Sequence, residues 1–318
     1  MNTSKPVNPF SDILVVGQGR LAASIPVCLA AAGSRVTLQA DSIEELQRSV
    51  SHHAEDLDDV SHISPIENIK INLPSDDPIT QSLAIVAGYS NEAEVGKILE
   101  NLEKQGTEDL VIVVETDHIP LHHLQQNRSR PENILVVNWT EPAHTTFFLE
   151  IVHNNTTKQD IVDRVEENAI HSWGKDPYKV HSELGVRGLM NAAMIREALY
   201  LIDAGYANVE DIDRACRNDA GTYLPFAGNF QYMDLMGTYA YGVVMEQLNK
   251  ELSNATVAPD FFHLREQSPI DDNGEYQPGF YQYTKEDIAK WETRMRSFSF
   301  EVRSVMEKYP SHYLDESD

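Results

Sequence analysis

The stretch Ile13-Leu14-Val15-Val16-Gly17-Gln18-Gly19-Arg20-Leu21-Ala22 decides the fold. Its four apolar residues predict a short strand buried on both faces. A glycine turn follows at once, and the Ala-rich run through Ala32 predicts a helix that Gly33 ends as a C′ glycine. Pro26 predicts a kink inside that helix. Arg35-Val36-Thr37-Leu38-Gln39 is the next strand, which completes a βαβ unit. The turn has the form G-x-G-x-x-A. Its first glycine makes the tight turn, its second lets backbone approach a pyrophosphate, and the small third residue lets helix and strand pack closely. Placed between a strand and a helix, Gly17, Gln18, Gly19, Arg20, Leu21 and Ala22 read as a dinucleotide site, with the pyrophosphate on the helix N-terminus.

A ribose-binding acid belongs at the end of the second strand. The aligned position is Ala40, and the acid comes one residue later, at Asp41. Asp41 either holds the ribose hydroxyls or is a solvated cap beside Ser42. No Arg or Lys follows closely to hold a 2′-phosphate, so the reading is NAD over NADP.

Outward from this unit the pattern alternates. Ser42 to Val50 predicts a helix with Ser42 as N-cap and Glu45 three residues on. His52 to Asp77 is polar, acidic and weakly patterned. Strands are expected at 83–87, 110–114, 134–137 and 147–152, with a helix over 92–104. That alternation predicts an α/β fold with a Rossmann-type, doubly wound parallel sheet. After Val186 the periodicity is helical. Helices are expected at 189–204, at 209–217 capped by Asn208, at 230–252 as one long apolar helix, and from the Thr284 cap to Tyr309. The chain thus divides into a dinucleotide-binding domain, residues 1–182, and an all-α C-terminal domain, residues 183–318.

Fifty Asp and Glu against 25 Lys and Arg give a net charge of −25. Such a field repels phosphate backbones and anionic lipid, which argues against nucleic-acid partners and electrostatic membrane attachment. No apolar stretch approaches the ~18 residues of a membrane span. The N-terminus has no apolar signal core, and two cysteines, Cys28 and Cys216, suggest no disulfide framework. These features point to a cytoplasmic protein.

Four segments together resemble the L-3-hydroxyacyl-CoA dehydrogenase family. They are the glycine turn; Asn138-Trp139-Thr140-Glu141-Pro142-Ala143-His144 with Phe148-Leu149-Glu150-Ile151-Val152; Glu197 to Ala215; and Gly228 to Gly237 with Gly279-Phe280-Tyr281. The resemblance implies an NAD-dependent oxidation of a 3-hydroxy acid or its CoA thioester, by a homodimer assembled through the helical domain. In that family a histidine takes the hydroxyl proton and a glutamate orients it. Glu150 matches the glutamate, but the histidine position is Asn138, whose amide only hydrogen-bonds. The family's asparagine before the proline is Glu141. Its serine-rich turn is Glu115-Thr116-Asp117-His118, and the segment 52–77 is short for the family's CoA-holding hairpin.

Asn138, Glu141, Glu150 and Asp117 should therefore cluster at the carboxyl ends of the strands, with Glu141 as the candidate replacement base. Glu150 needs a new partner, and Asn138 is the nearest choice. His144 and His118 are outside candidates. The pairs His52-His53 and His122-His123 read as surface residues, so no metal site is expected. Arg187 holds either a substrate carboxylate or one of the many acids. The competing reading is a non-catalytic dinucleotide-binding or regulatory protein that keeps the fold.

Overall fold

The computed structural model describes residues 10–61, 65–257, 259, 280–281 and 283–309. Two compact units divide at Leu189 and Met190. That lies seven residues beyond the boundary expected at 182, within a single helix.

In the first unit, β1 (Asp12–Gly17) leads into α1 (Gly19–Ala31), then β2 (Arg35–Gln39), α2 (Ile43–Ser61) and β3 (Ile69–Asn72). Next come β4 (Leu83–Ala87), α3 (Glu92–Gln105), β5 (Val111–Val114), α4 (Leu121–Gln125) and β6 (Ile134–Trp139). The unit finishes with β7 (Phe148–His153), α5 (Gln159–His171), β8 (Asp176–His181) and the start of α6 (Val186–Asp203). The eight strands form one sheet in the order β3-β2-β1-β4-β5-β6-β7-β8. All neighbours are parallel except β6 and β7. The sheet is thus not purely parallel: the short link 140–147 lets β7 fold straight back on β6, and β8 follows β7 through α5.

Alternation along β1 shows how the sheet is covered on both sides. Ile13 and Val15 face a core shared with α1, α2 and α5, while Leu14 and Val16 face one shared with α3 and α4. α1 runs continuously through Pro26, with Gly33 at φ 90° just past its end. Asn91 caps α3 by accepting from the backbone N–H groups of Ala93 and Glu94.

The segment 52–77 departs from expectation. α2 continues to Ser61, because Leu46, Val50 and Ala54 recur every four residues and lie in the core, with Leu57 packed against it. Ile69 and Ile71 then alternate with Lys70 and Asn72 along edge strand β3. α5 and β8 are two further elements that the polar surface of their sequences conceals.

The second unit is helical. After α6 come α7 (Val209–Ala215), capped by the Asn208 side chain, a π turn at Cys216–Ala220, α8 (Gly221–Met236), α9 (Thr238–Leu248) and α10 (Lys285–Lys308). Thr284 and Asp287 form a reciprocal capping box on α10. The long helix expected over 230–252 is instead interrupted at Gly237, φ 101°, and α8 is itself broken at Gly228, φ 62°. None of the residues of α6 to α9 is buried. Among the described residues no helix is long and apolar enough to cross a membrane.

Leu99 on α3 is fully buried under the sheet. Leu99→Ala should destabilise the protein by about 2–5 kcal/mol, read as a lower denaturant midpoint with the α/β secondary structure retained.

Candidate active site

The glycine turn forms at the end of β1 against the end of β4. Gln18 N–H donates to Ala87 O at 3.2 Å. Gly17 lies so close to Ala22 and Ala87 that a Cβ there would stand 2.5 Å from the Ala22 methyl. Gly88, at φ 82°, closes the far wall, and a Cβ on it would be 1.9 Å from Gln18 O. Gly88 is a cradle residue that the turn's own sequence does not reveal; its signal is the glycine directly after strand β4. At Gly19, φ 75°, a Cβ meets nothing within 4 Å. The room in front of this backbone is what a bound diphosphate requires at the start of α1. The residues therefore fit a dinucleotide.

Asp41 lies exposed in a groove with Val16, Gln39, Tyr89 and Glu94, reached along β1 and β2. Burial, then the charges of Asp41 and Glu94, raise the Tyr89 phenol above its ordinary value. Lys97 enters the same groove from α3, a cation that the sequence following Asp41 does not show.

Asn138 and Glu150 face one another directly across β6 and β7. Both are fully buried. Asn138 Nδ2 donates to Glu150 Oε2 at 3.0 Å, and Asn138 Oδ1 accepts the Thr116 backbone N–H at 3.1 Å. The other carboxylate oxygen of Glu150 accepts three donors: Tyr178 OH at 2.9 Å, Val186 N at 2.7 Å and Arg187 N at 3.1 Å. Glu150 thus caps the first turn of α6, where an anion complements the helix dipole. Burial and the bond to Glu150 push the Tyr178 phenol well above its ordinary value.

Arg187 takes the second of its two readings. Its fork grips Asp117, with Nε to Oδ1 at 3.1 Å and Nη2 to Oδ2 at 2.7 Å, and it also donates to Trp139 O. Glu115 stands 3.5 Å from the same guanidinium and accepts the Gly88 N–H. Glu115, Asp117, Asn138 and Glu150 therefore gather around the start of α6. Glu141 does not join them: its carboxylate pairs with Arg20 Nε of the glycine turn at 2.7 Å, at the cofactor end of the sheet.

The outside histidines divide. His118 Nε2 is 2.9 Å from Ser90 O, and His122 and His123 pair with Glu183 and Glu92 on the surface. His53 is not a surface residue. It turns inward from α2, with His144 and Asp56 beside it, because 53, 54 and 57 lie on the buried stripe of that helix.

Burial raises the Glu115 carboxyl, and the Arg187 charge opposes it less strongly. A raised carboxyl binds its proton more tightly in the folded chain. Its stability contribution is full below the ordinary carboxylate value and fades as pH rises through the raised one. Glu115→Gln should therefore gain in relative melting temperature over the parent from about pH 4 towards pH 7. A constant offset across a thermal-melt pH series would contradict this.

Residues 12–183 match the family described as 3-hydroxyacyl-CoA dehydrogenase, NAD binding domain, and residues 189–283 match its C-terminal domain. A 5-formyl-3-hydroxy-2-methylpyridine 4-carboxylate 5-dehydrogenase of Mesorhizobium japonicum is 27% identical over 69% of this chain and 70% of its own. A 3-hydroxybutyryl-CoA dehydrogenase of Mycobacterium tuberculosis is 24% identical over 85% of this chain and 97% of its own. A solved structure of a 5-formyl-3-hydroxy-2-methylpyridine 4-carboxylic acid 5-dehydrogenase, described as an NAD+-dependent dismutase, superposes with a TM-score of 0.83. That match has 22% identity and covers 93% of this chain and 98% of the other. With the glycine cradle at the end of β1 and both domain matches together covering most of its length, the chain belongs to the 3-hydroxyacyl-CoA dehydrogenase family.

Proposed function

We propose that the protein is an NAD-dependent oxidoreductase acting on a 3-hydroxy acid or its CoA thioester, with the family's histidine replaced by Asn138. The observation that carries this reading is the intact cradle of Gly17, Gly19 and Gly88 beside a carboxylate, Glu141, that Arg20 holds at the cofactor end. Bound NAD supplies a hydride acceptor. Glu141 takes the substrate hydroxyl proton, and Arg20 orients the carboxylate. Asn138 and Glu150 are positioning residues: their polar atoms are engaged with Thr116, Tyr178 and the first turn of α6. Asp41 holds the adenosine ribose. That full engagement of Asn138 favours the second reading, a dinucleotide-binding protein without turnover.

The working form is a cytoplasmic homodimer assembled through the helical unit. Phe230 is 82% and Tyr239 86% exposed, and aromatic residues so exposed on helices without buried residues call for a covering surface. Light scattering should give twice the chain mass, about 72 kDa from 35.8 kDa per chain.

Calorimetry should show NAD binding, and Gly19→Asp should abolish it. Asp tolerates the left-handed backbone of that position, so the variant folds and its carboxylate fills the phosphate space. Acetoacetyl-CoA reduction by the parent should be weak. Asn138→His should raise it by about 10²–10⁴-fold, the usual worth of a positioned proton donor. Glu141→Gln should remove about 10²-fold of turnover on the best hydroxy acid and leave the NAD affinity unchanged. Full activity in Glu141→Gln would sink the assignment of the base. NAD binding with no turnover on any hydroxy acid would select the non-catalytic reading.

A further inference from the structure

Outside the dehydrogenase site, the described residues hold one group of three convergent metal-ligating side chains: His53, Asp56 and His144. We propose that these three residues form a Zn2+ site that clamps α2 to the loop between β6 and β7.

The sequence places the first two ligands by helical geometry. His53 and Asp56 are three residues apart on α2, so both project from one face, while His52 is turned away into solvent. The third comes from the loop. Ala143 N–H donates to Ser24 Oγ of α1 at 3.0 Å, and Ala143 O and Thr146 O both accept from Lys175 Nζ. These bonds pin His144 from both flanks, so its ring is presented to α2 by a fixed backbone. A preformed third ligand lowers the ordering cost of a metal site.

The distances match the metal. Around tetrahedral Zn2+, with bonds of about 2.0–2.2 Å, ligand atoms lie about 3.4 Å apart. Here His144 Nε2 is 3.3 Å from Asp56 Oδ2, and His53 Nδ1 is 4.0 Å from the same oxygen. All three ligand atoms lie within 4.8 Å of one another. Small side-chain rotations close the remaining gap. The rings meet edge to face, with centroids 5.1 Å apart, so they do not stack, and one nitrogen of each approaches the same Asp56 oxygen.

The chemistry selects the ion class. Two imidazoles and one carboxylate suit Zn2+ and its neighbours, whereas Mg2+ and Ca2+ prefer all-oxygen shells. The site is enclosed: the side chains of His53, Asp56 and His144 are 10%, 14% and 1% exposed. A divalent ion against one carboxylate leaves a single positive charge, which the acidic chain, net −25, tolerates well. Three protein ligands leave a fourth position for water.

The test uses the full chain, stripped with a chelator and titrated at neutral pH with Zn2+ by calorimetry and with Co2+ by visible absorption. The expected result is one equivalent bound, a Co2+ spectrum of tetrahedral type, and a rise in melting temperature with Zn2+. His144→Ala and Asp56→Asn should each weaken binding by about 100-fold, since each removes one of three ligands. His52→Ala and the double change His122→Ala with His123→Ala should leave it unchanged, because those histidines are exposed and lie off the site. If His144→Ala does not fold, His53→Gln, which keeps a polar side chain, reads the same loss. Absence of stoichiometric binding overturns the proposal. So does binding that survives Asp56→Asn and His53→Gln, or binding that disappears with His122 and His123.

Discussion

The buried carboxylate of Glu150 is the constraint around which the centre of the sheet is organised. An ionised group with no water contact is tolerated only when hydrogen-bond donors replace its hydration. Four donors do so here, from Asn138, Tyr178 and the first two residues of α6. They come from β6, β8 and the start of α6. The single requirement to satisfy Glu150 therefore fixes the antiparallel pairing of β6 with β7, the placement of β8 and the point where α6 begins. Arg187, second residue of that helix, is then in position to grip Asp117 and to stand beside Glu115.

The same contacts hold the Asn138 amide in place. Both polar atoms of the Asn138 amide are used: its nitrogen donates to Glu150 and its oxygen accepts from the Thr116 N–H. A neutral amide there needs no protonation change to stay satisfied. The nearby acids are drawn into ion pairs, Asp117 with Arg187 and Glu141 with Arg20.

Much of the first unit is legible in the sequence because its strands are buried on both faces. Runs such as Leu83 to Ala87 and Val111 to Val114 have no polar residue to mislead. The glycine turn is legible for the same reason: few residues other than glycine tolerate those dihedrals and approaches. The elements that escape are those whose burial is one-sided. β8, Asp176–His181, has six exposed or half-exposed positions and so lacks the apolar run of a central strand. The second half of α2 is hidden by its acidic face, although Leu46, Val50 and Ala54 mark its stripe. Arg187 is legible as a cation for one of the many acids, but which acids it meets, Asp117 and Glu115, 70 and 72 residues away, is not, nor is the place of Gly88 across a neighbouring strand end. His53 is missed because the two residues beside it lie 3 and 91 positions further on.

The Arg20–Glu141 pair has a physical consequence of its own. It is half in solvent, with side-chain exposures of 55% and 31%. Mobile ions screen such a contact over about 8 Å at physiological ionic strength. The loop after β6 is thus held to the cofactor turn by a tether whose strength varies with the salt around it, while the buried bonds of Glu150 are indifferent to salt. Ionic strength acts on one end of the β6–β7 link and not on the other, so the same strand pair is anchored rigidly at one side and adjustably at the other.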